Sequence, residues 1–262
     1  MDRGLSASVR LVLFAAAAFL YSAASFAQVK VLMSGGFAAA YREVLPEFER
    51  TTGIAVTTSS GASQGTGPDT IAAQLRRGAQ ADVVILSKEG LADLIAEGRI
   101  VAGSEVDLAQ TPIGVSVRTG APKPDISTVE AFTQTLLRAK TIAMPGSTTG
   151  IYLTGTLLPR LGVADKILVK LSSRGAESAK LVADGSAALA VQPVSELLNV
   201  PGLEFVGTIP ADIQYISIFS AAVVSGSTET DRARRLIAFL ASDIAVSAIK
   251  RSGMEPKRRP NR

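Results

Sequence analysis

Residues 78–86 read GAQADVVIL and carry the clearest sign of the fold class. Gly78 ends a predicted helix that begins at Pro68. The run from Ala81 to Leu86 is almost wholly apolar, which is typical of a parallel strand buried on both faces. A helix that stops at a glycine and leads into such a strand is the repeating unit of an α/β sheet.

The same alternation extends in both directions from this stretch. Upstream, strands are predicted at 29–33 and 54–58, with a helix between them that ends at Gly53. Downstream, a second series of short strands and helices runs from 113 to 191, and a long apolar strand at 216–224 precedes two C-terminal helices. This pattern predicts an α/β protein with two mixed or parallel sheets flanked by helices.

Two such series and a late returning strand predict two lobes joined by a hinge of two chain crossings. Lobe I is expected to comprise residues 28–112 and 214–262, and lobe II residues 113–213. In α/β sheets ligands bind at the carboxyl ends of the strands, so we expect the ligand cleft between the lobes.

Residues 1–27 have the features of a cleaved secretory signal peptide. Arg3 and Arg10 flank a short charged region before the apolar run 11–21, and Ser25 and Ala27 are the small residues that a signal peptidase reads. That run is shorter than the ~20 residues of a membrane-spanning helix, and no later stretch reaches this length. We therefore expect a periplasmic protein that begins at Gln28 and is a monomer.

The chain contains neither cysteine nor histidine, which excludes several kinds of site. Without cysteine there is no disulfide framework, iron–sulfur cluster or thiolate nucleophile. Without histidine there is no Ser-His-Asp triad and no imidazole ligand for zinc. We expect no metal site and no cofactor.

The formal net charge of +4 lies mainly in residues 250–262, which contain six basic residues and one glutamate. A basic tail on a nearly neutral body is not typical of a nucleic-acid surface, so no nucleic-acid partner is expected.

Three loops rich in glycine and hydroxyl groups stand where predicted strands lead into helices, at 33–37, 59–65 and 145–150. Glycine allows close approach of the backbone, and Ser or Thr before a helix often caps it. Their candidate ligand-binding residues are Ser34, Gly35, Gly36, Ser60, Ser63, Ser147, Thr148 and Thr149.

These loops together predict a site for a small anion. The first N–H groups of a helix have no partner inside the helix and carry about half a positive charge. Several that converge on one cleft can hold an anion without lysine or arginine. Each loop taken alone is explained better by helix capping than by ligand binding. Residues 61–67 lack the Gly-Lys-Ser/Thr ending of a nucleotide-binding loop.

Three further residues are candidates for ligand contacts. Arg118 ends a predicted strand, where it could clamp a carboxylate or simply face solvent. Gln192 follows a buried strand and could face the ligand. Tyr152 lies in the first helical turn after Gly150, where a core position and a ligand contact both fit.

These features resemble the type II periplasmic binding proteins, and within them the molybdate-binding-protein-like group. The likeness covers nearly the whole mature chain and rests on the loop at 34–36, on 61–75 and on 78–86, which is close to the group's G-A-x-A-D-V signature. It implies an oxyanion held by hydroxyl and N–H groups and an inner-membrane ABC permease as partner. The matching positions are Ser34, Ser60 or Ser63, and Ser147.

One departure weakens the molybdate assignment. The group usually has a ligand tyrosine after the strand near Val191, and residues 189–197 contain none. The phrases at 120–127, 195–197 and 206–210 are similar to a branch that contains periplasmic aconitate isomerase. This likeness implies a di- or tricarboxylate ligand more strongly than it implies catalysis.

Three functions therefore stay open, the third being a sensory binding protein that docks on a receptor rather than on a permease. The favoured one is periplasmic binding of a small anion, a tricarboxylate such as aconitate or a molybdate-like oxyanion, for ABC-type uptake. The alternative is an isomerase that interconverts cis- and trans-aconitate, which needs a base about 3 Å from an acidic C–H and donors that stabilise the carbanion. The base could be a carboxylate, a lysine, Tyr152 or an activated serine, and the sequence does not choose among them.

Overall fold

The computed structural model describes residues 28–257 as an α/β protein. The strands are β1 (Val29–Met33), β2 (Val56–Ser60), β3 (Val83–Ser87), β4 (Val106–Arg118), β5 (Thr141–Pro145), β6 (Leu168–Ser172), β7 (Leu189–Pro193), β8 (Leu203–Thr208), β9 (Ile216–Val223) and β10 (Glu255–Pro256). The helices are α1 (Ala38–Thr52), α2 (Ile71–Arg76), α3 (Lys88–Ala96), α4 (Val129–Ala139), α5 (Thr148–Tyr152), α6 (Leu158–Arg160), α7 (Gly175–Ala183), α8 (Thr230–Leu240) and α9 (Asp243–Arg251).

Short helical turns complete the described chain. Gly35–Phe37, Val194–Glu196 and Ala211–Ile213 form 3-10 turns, and the π-helical turn Leu153–Leu157 joins α5 to α6. No helix within residues 28–257 has the length and apolar character needed to cross a membrane. The predicted signal peptide, residues 1–27, lies outside the described residues.

The strands form two sheets that share β4. In the first sheet the order is β2-β1-β3-β9-β4. β1 is parallel to both β2 and β3, whereas β9 is antiparallel to both β3 and β4. In the second sheet the order is β8-β4-β7-β5-β6, with β5 parallel to β6 and β7. Residues 106–112 of β4 pair with β9, and residues 113–118 pair with β7 and β8. The two sheets are thus continuous through one long strand.

Each sheet has its own core. Buried apolar clusters on the first sheet come from residues 29–109 and 219–254. Those on the second sheet come from residues 113–213. This division agrees with the α/β class and the two sheets that the sequence predicts, while the exact lobe boundaries at 112/113 and 213/214 stay a prediction.

Side-chain hydroxyl groups start three of the helices. Ser87 Oγ accepts a hydrogen bond from the N–H of Gly90 at the start of α3 (3.2 Å), and Thr70 and Thr128 cap α2 and α4 in the same way. α1 ends at Gly53, whose φ of 67° lies in the left-handed region that favours glycine. The cap of α3 matters for the site, because Ser87 also ends β3.

The observed elements differ from the predicted ones in several places, and the differences are largest at β4 and β8. β4 begins at Val106, seven residues before the predicted strand at Ile113, because its first half pairs with β9 and with β10. β8 was not predicted from the sequence. Its residues are only half-buried, so they lack the strong apolar signal of the inner strands.

Candidate functional site

A pocket that is open to solvent lies between the two sheets. Its walls come from segments that follow β1, β2, β5, β6 and β7, together with parts of β3 and β9. Strands that run parallel within a sheet present their carboxyl ends at one edge, and ligand sites of α/β proteins form there. The pocket lies where the sequence places the cleft.

All three predicted loops reach this pocket. The predicted site residues that line it are Ser34, Gly35, Gly36, Ser63, Ser147, Thr148 and Thr149. The N–H groups at the starts of the 3-10 turn and of α5 have no acceptor inside their own helical turns. The pocket therefore combines hydroxyl groups with helix N-termini, and the ligand-binding roles of these residues stay predictions.

Ser34 contributes an unused hydroxyl group. It follows β1, its side chain is 5% exposed, and its Oγ has no hydrogen-bond partner among the described residues. A buried polar atom without a partner costs about 1–3 kcal/mol of desolvation. A polar ligand atom beside Oγ would remove that cost.

Other hydroxyl groups are already paired across the pocket. Ser87 Oγ and Thr148 Oγ1 lie 2.7 Å apart, and Thr148 Oγ1 donates to Gln64 Oε1 (3.0 Å). The N–H of Gln64 donates to Ser147 Oγ (3.1 Å), and the N–H of Ser87 donates to Ser63 Oγ (2.9 Å). The bonds of Thr148 and Ser147 join the loop after β5 to the first sheet. Ser147 Oγ accepts in this network, so its own proton is available to a ligand.

Two glycines are required by close packing around the pocket. A Cβ at Gly36 would lie 1.9 Å from Cζ of Phe219, and a Cβ at Gly150 would lie 1.9 Å from the carbonyl oxygen of Pro145. Glycine thus lets the 3-10 turn pack on the ring of Phe219 and lets α5 start directly against β5.

A carboxyl group that the sequence analysis did not select, that of Glu196, forms part of the wall. Glu196 ends the 3-10 turn after β7 and packs against two glycines. A Cβ at Gly35 would lie 2.3 Å from Glu196 Oε1, and a Cβ at Gly175 would lie 2.5 Å from Glu196 Cδ. Burial raises the pKa of Glu196 from 4.5 to about 7. This carboxyl group can therefore both take up and release a proton near neutral pH.

Arg174 is the other charged side chain on the described pocket wall. It stands before α7, is exposed, and forms no ion pair with any of residues 28–257. A guanidinium group without an internal partner can bind a carboxylate through two parallel hydrogen bonds. Arg174 was not among the predicted site residues, although it follows β6 by two residues, at the carboxyl end where the other site loops lie.

Two predicted residues lie at strand ends away from the pocket lining. Ser60 ends β2 and is exposed. Arg118 ends β4, which runs antiparallel to β7 with Ile113 opposite Pro193. The carboxyl end of β4 therefore lies at the edge of the second sheet opposite to that of β7, and Arg118 is not brought to the pocket.

Tyr152 and Gln192 also lie off the lining. The hydroxyl of Tyr152 donates to the carbonyl oxygen of Ile213 (3.2 Å), and its ring stacks on Tyr215 with centroids 4.8 Å apart. Gln192 is fully buried behind Glu196.

One sequence signal could have identified Glu196. It follows a buried strand by three residues, at the carboxyl end where the other site loops lie. Residues 195–197 entered the prediction only through their resemblance to the aconitate isomerase branch. Within residues 28–257 no group of three or more acidic side chains is placed to hold a metal ion.

The chain matches a family of known proteins over most of its length. The model of the bacterial extracellular solute-binding proteins matches residues 29–255. An aconitate isomerase from a Pseudomonas species is 40% identical over 238 residues, which cover 90% of this chain and 91% of that protein.

Solved structures share the fold at low sequence identity. The periplasmic molybdate-binding protein of Azotobacter vinelandii superposes with a TM-score of 0.66 at 20% identity, covering 86% of this chain and 98% of that one. The sulfate-binding protein SubI of Mycobacterium tuberculosis H37Rv gives 0.70 at 19% identity, covering 88% and 87%.

These matches confirm the predicted two-lobed periplasmic-binding-protein fold and the resemblance to the molybdate-binding group and the aconitate isomerase branch. The chain belongs to the bacterial extracellular solute-binding proteins.

Proposed function

We propose that the protein binds a tricarboxylate of the aconitate class in this pocket and interconverts its cis and trans isomers. The observation that carries this proposal is the position of the Glu196 carboxyl group in a pocket wall that it shares with Arg174 and several serine and threonine residues, where burial raises its pKa to about 7. The 40% identity to an aconitate isomerase over 90% of the chain supports the same substrate class.

The pocket offers suitable donors for several carboxylates. Arg174 supplies one positive charge, and Ser34 and Ser147 supply hydroxyl protons. The N–H groups at the starts of the helical turns add neutral donors. We infer that one substrate carboxylate pairs with Arg174 and another occupies the hydroxyl and N–H donors.

Glu196 would carry the proton between two carbon atoms of the substrate. In its ionised form the carboxylate removes a proton from the methylene carbon, so a C–H bond breaks and an O–H bond forms. The electron pair spreads over the allylic system and the adjoining carboxylate, where the hydroxyl and N–H donors stabilise the added charge. Glu196 then returns the proton to the former alkene carbon, which moves the double bond and allows the other isomer to form.

Proton NMR of trans-aconitate incubated with the protein in D₂O tests this proposal. We expect cis-aconitate to accumulate to equilibrium and deuterium to enter the methylene position. Glu196→Gln should abolish turnover while the substrate still binds, and Glu130→Gln, which removes an exposed carboxylate on α4, should turn over normally. Absence of turnover by the unaltered protein would exclude the isomerase.

Binding in the service of uptake is the second candidate. It is supported by membership of the solute-binding family and by the cross-pocket hydrogen bonds, which suit a pair of lobes that close on a small anion. In this case an inner-membrane ABC permease receives the ligand. Saturable binding of trans-aconitate by calorimetry, without turnover in the NMR experiment, would support this function.

We further propose that the mature protein is periplasmic and starts at Gln28. The family description and the composition of residues 1–27 support this location. N-terminal sequencing of the protein released by osmotic shock should give Gln28 as the first residue. An intact Met1 in that fraction would contradict the proposed cleavage.

A further inference from the structure

Gln192 is a fully buried side chain directly behind the pocket wall. It lies in β7, and its Nε2 donates to the carbonyl oxygens of Gly175 (3.2 Å) and Glu196 (3.0 Å). Gly175 is the first residue of α7, and Glu196 ends the turn after β7. A single amide group therefore ties together the two main-chain segments on either side of the Glu196 carboxyl group.

Gly175 and Gly35 define where the carboxyl group of Glu196 can lie. Its Cδ is 2.5 Å from the position of a Cβ on Gly175, and its Oε1 is 2.3 Å from the position of a Cβ on Gly35. The carboxyl group thus fills the space left by two missing side chains. A small shift of α7 relative to the turn after β7 would open this space and let the carboxyl group turn towards solvent.

The two hydrogen bonds of Gln192 hold the Gly175 and Glu196 segments in place, but they leave one of its own buried polar atoms unpaired. The carbonyl of Gly175 lies in the first turn of α7, where it also has a helical acceptor role. Gln192 Oε1 is buried and has no partner among residues 28–257. A buried amide with an unpaired oxygen has a desolvation cost that lowers the stability of the folded protein. Positioning of the main chain by its two donated hydrogen bonds would explain why this cost is tolerated.

We propose that Gln192 is a positioning residue that fixes the carboxyl group of Glu196 in the pocket wall by binding the main chain of Gly175 and Glu196. The link to turnover rests on the proposed function, whereas the positioning itself does not. The sequence offers Gln192 as a possible ligand contact, and in the structure it lies behind Glu196, which lines the pocket.

Few charges face Glu196 from the elements packed against it. The turn Gly35–Phe37 carries none, and Gly114 of β4 lies opposite Gln192. Arg174 lies on the same pocket wall, and the carboxylate of Glu177 on α7 accepts from the N–H of Ser173. Burial is the cause of the raised pKa of Glu196, so a move of its carboxyl group towards water lowers that pKa.

The test compares Gln192→Met with Gln214→Met in the protein without ligand. Gln214 is the control, because its Nε2 also donates to two main-chain carbonyls, those of Ile113 and Ile209 (both 3.1 Å), away from the pocket lining. Its Oε1 additionally accepts from the N–H groups of Ile113 (2.7 Å) and Tyr215 (3.0 Å), so its loss removes at least as many hydrogen bonds as the loss of Gln192. Glu196 is followed by carbon-13 NMR of glutamate carboxyl groups, with its signal assigned through Glu196→Gln.

We expect Glu196 to titrate near pH 7 in the unaltered protein and in Gln214→Met. In Gln192→Met its acid dissociation constant should rise at least tenfold, which is a fall of one pKa unit. Unchanged titration in folded Gln192→Met would overturn the inference. If that variant does not fold, Gln192→Asn decides in the same way, since its amide is one methylene too short to reach both carbonyls.

Activity measurements separate this inference from the proposed function. Under that function, Gln192→Met should lower kcat with little change in KM and should move the acidic limb of the pH profile downward. A shifted titration with no turnover in the unaltered protein would reject the isomerase and leave the positioning role standing. Normal turnover together with an unshifted titration in Gln192→Met would reject the positioning role alone.

Discussion

Glu196→Gln should make the folded protein more stable at pH 8, and the gain should shrink towards pH 5. Burial raises the pKa of Glu196 from 4.5 to about 7, so the folded protein holds this proton more tightly than the unfolded chain does. The resulting stability is fully present below about pH 4.5, falls as the pH rises, and is lost above about pH 7. Glutamine is neutral throughout and avoids this loss.

The size of the effect follows from the shift in pKa. Each pKa unit corresponds to about 1.4 kcal/mol, so a rise from 4.5 to about 7 amounts to at most about 3 kcal/mol at pH 8. For a protein of this length, 1 kcal/mol changes the melting temperature by about 2–4 °C. We therefore expect Glu196→Gln to melt up to about 12 °C above the unaltered protein at pH 8.

Thermal unfolding followed by circular dichroism at pH 5, 6.5 and 8 measures this difference. Every other titrating group is common to both proteins, so the difference between their melting temperatures isolates Glu196. Glu130→Gln controls for the loss of one exposed carboxylate. A difference between Glu196→Gln and the unaltered protein that stays constant from pH 5 to pH 8 would refute the reasoning.

Three other changes have distinct expected outcomes. Ser34→Ala should weaken trans-aconitate binding by about 1 kcal/mol, which calorimetry would record as a roughly fivefold higher Kd. The melting temperature of the free protein should not fall, and an unchanged Kd would place the ligand elsewhere. Arg174→Ala should weaken binding by about 1.5–3 kcal/mol because it removes a charge-assisted hydrogen bond, whereas Arg118→Ala should leave Kd unchanged. Equal losses of affinity in the two variants would contradict the placement of the two arginines. Gly36→Ala should lower the free energy of unfolding in urea by about 1–3 kcal/mol, since its Cβ would overlap Phe219, and a stability equal to that of the unaltered protein would show that the ring moves aside freely.

The site loops could be predicted from the sequence because their signals are local. Glycine and hydroxyl residues directly after an apolar strand mark the carboxyl end of that strand, and Ser34, Ser63 and Ser147 all line the pocket. The same rule did not separate Ser60 from Ser63, because both lie in the predicted loop 59–65, whereas in the structure Ser60 is the last residue of β2. Only the pairing of Ser63 Oγ with the N–H of Ser87 shows which of the two faces inward.

The direction of β4 explains why Arg118 does not line the pocket. The sequence gives a strand that ends in arginine, and its carboxyl end would reach the cleft if the strand ran parallel to its neighbours. β4 instead runs antiparallel to β7, so its end lies at the opposite edge of the sheet. Strand direction depends on which segments pair, and pairing is a long-range property.

Local patterns in the sequence determined the α/β class, the order of most elements and the glycine and hydroxyl loops at the strand ends, because backbone geometry and burial leave their mark on neighbouring residues. The tertiary structure alone decided that Glu196 fills the space beside Gly35 and Gly175, and that Gln192 lies behind it. Burial shifts the pKa of Glu196, and burial is set by residues up to about 160 positions away in the chain, so no local pattern could carry it.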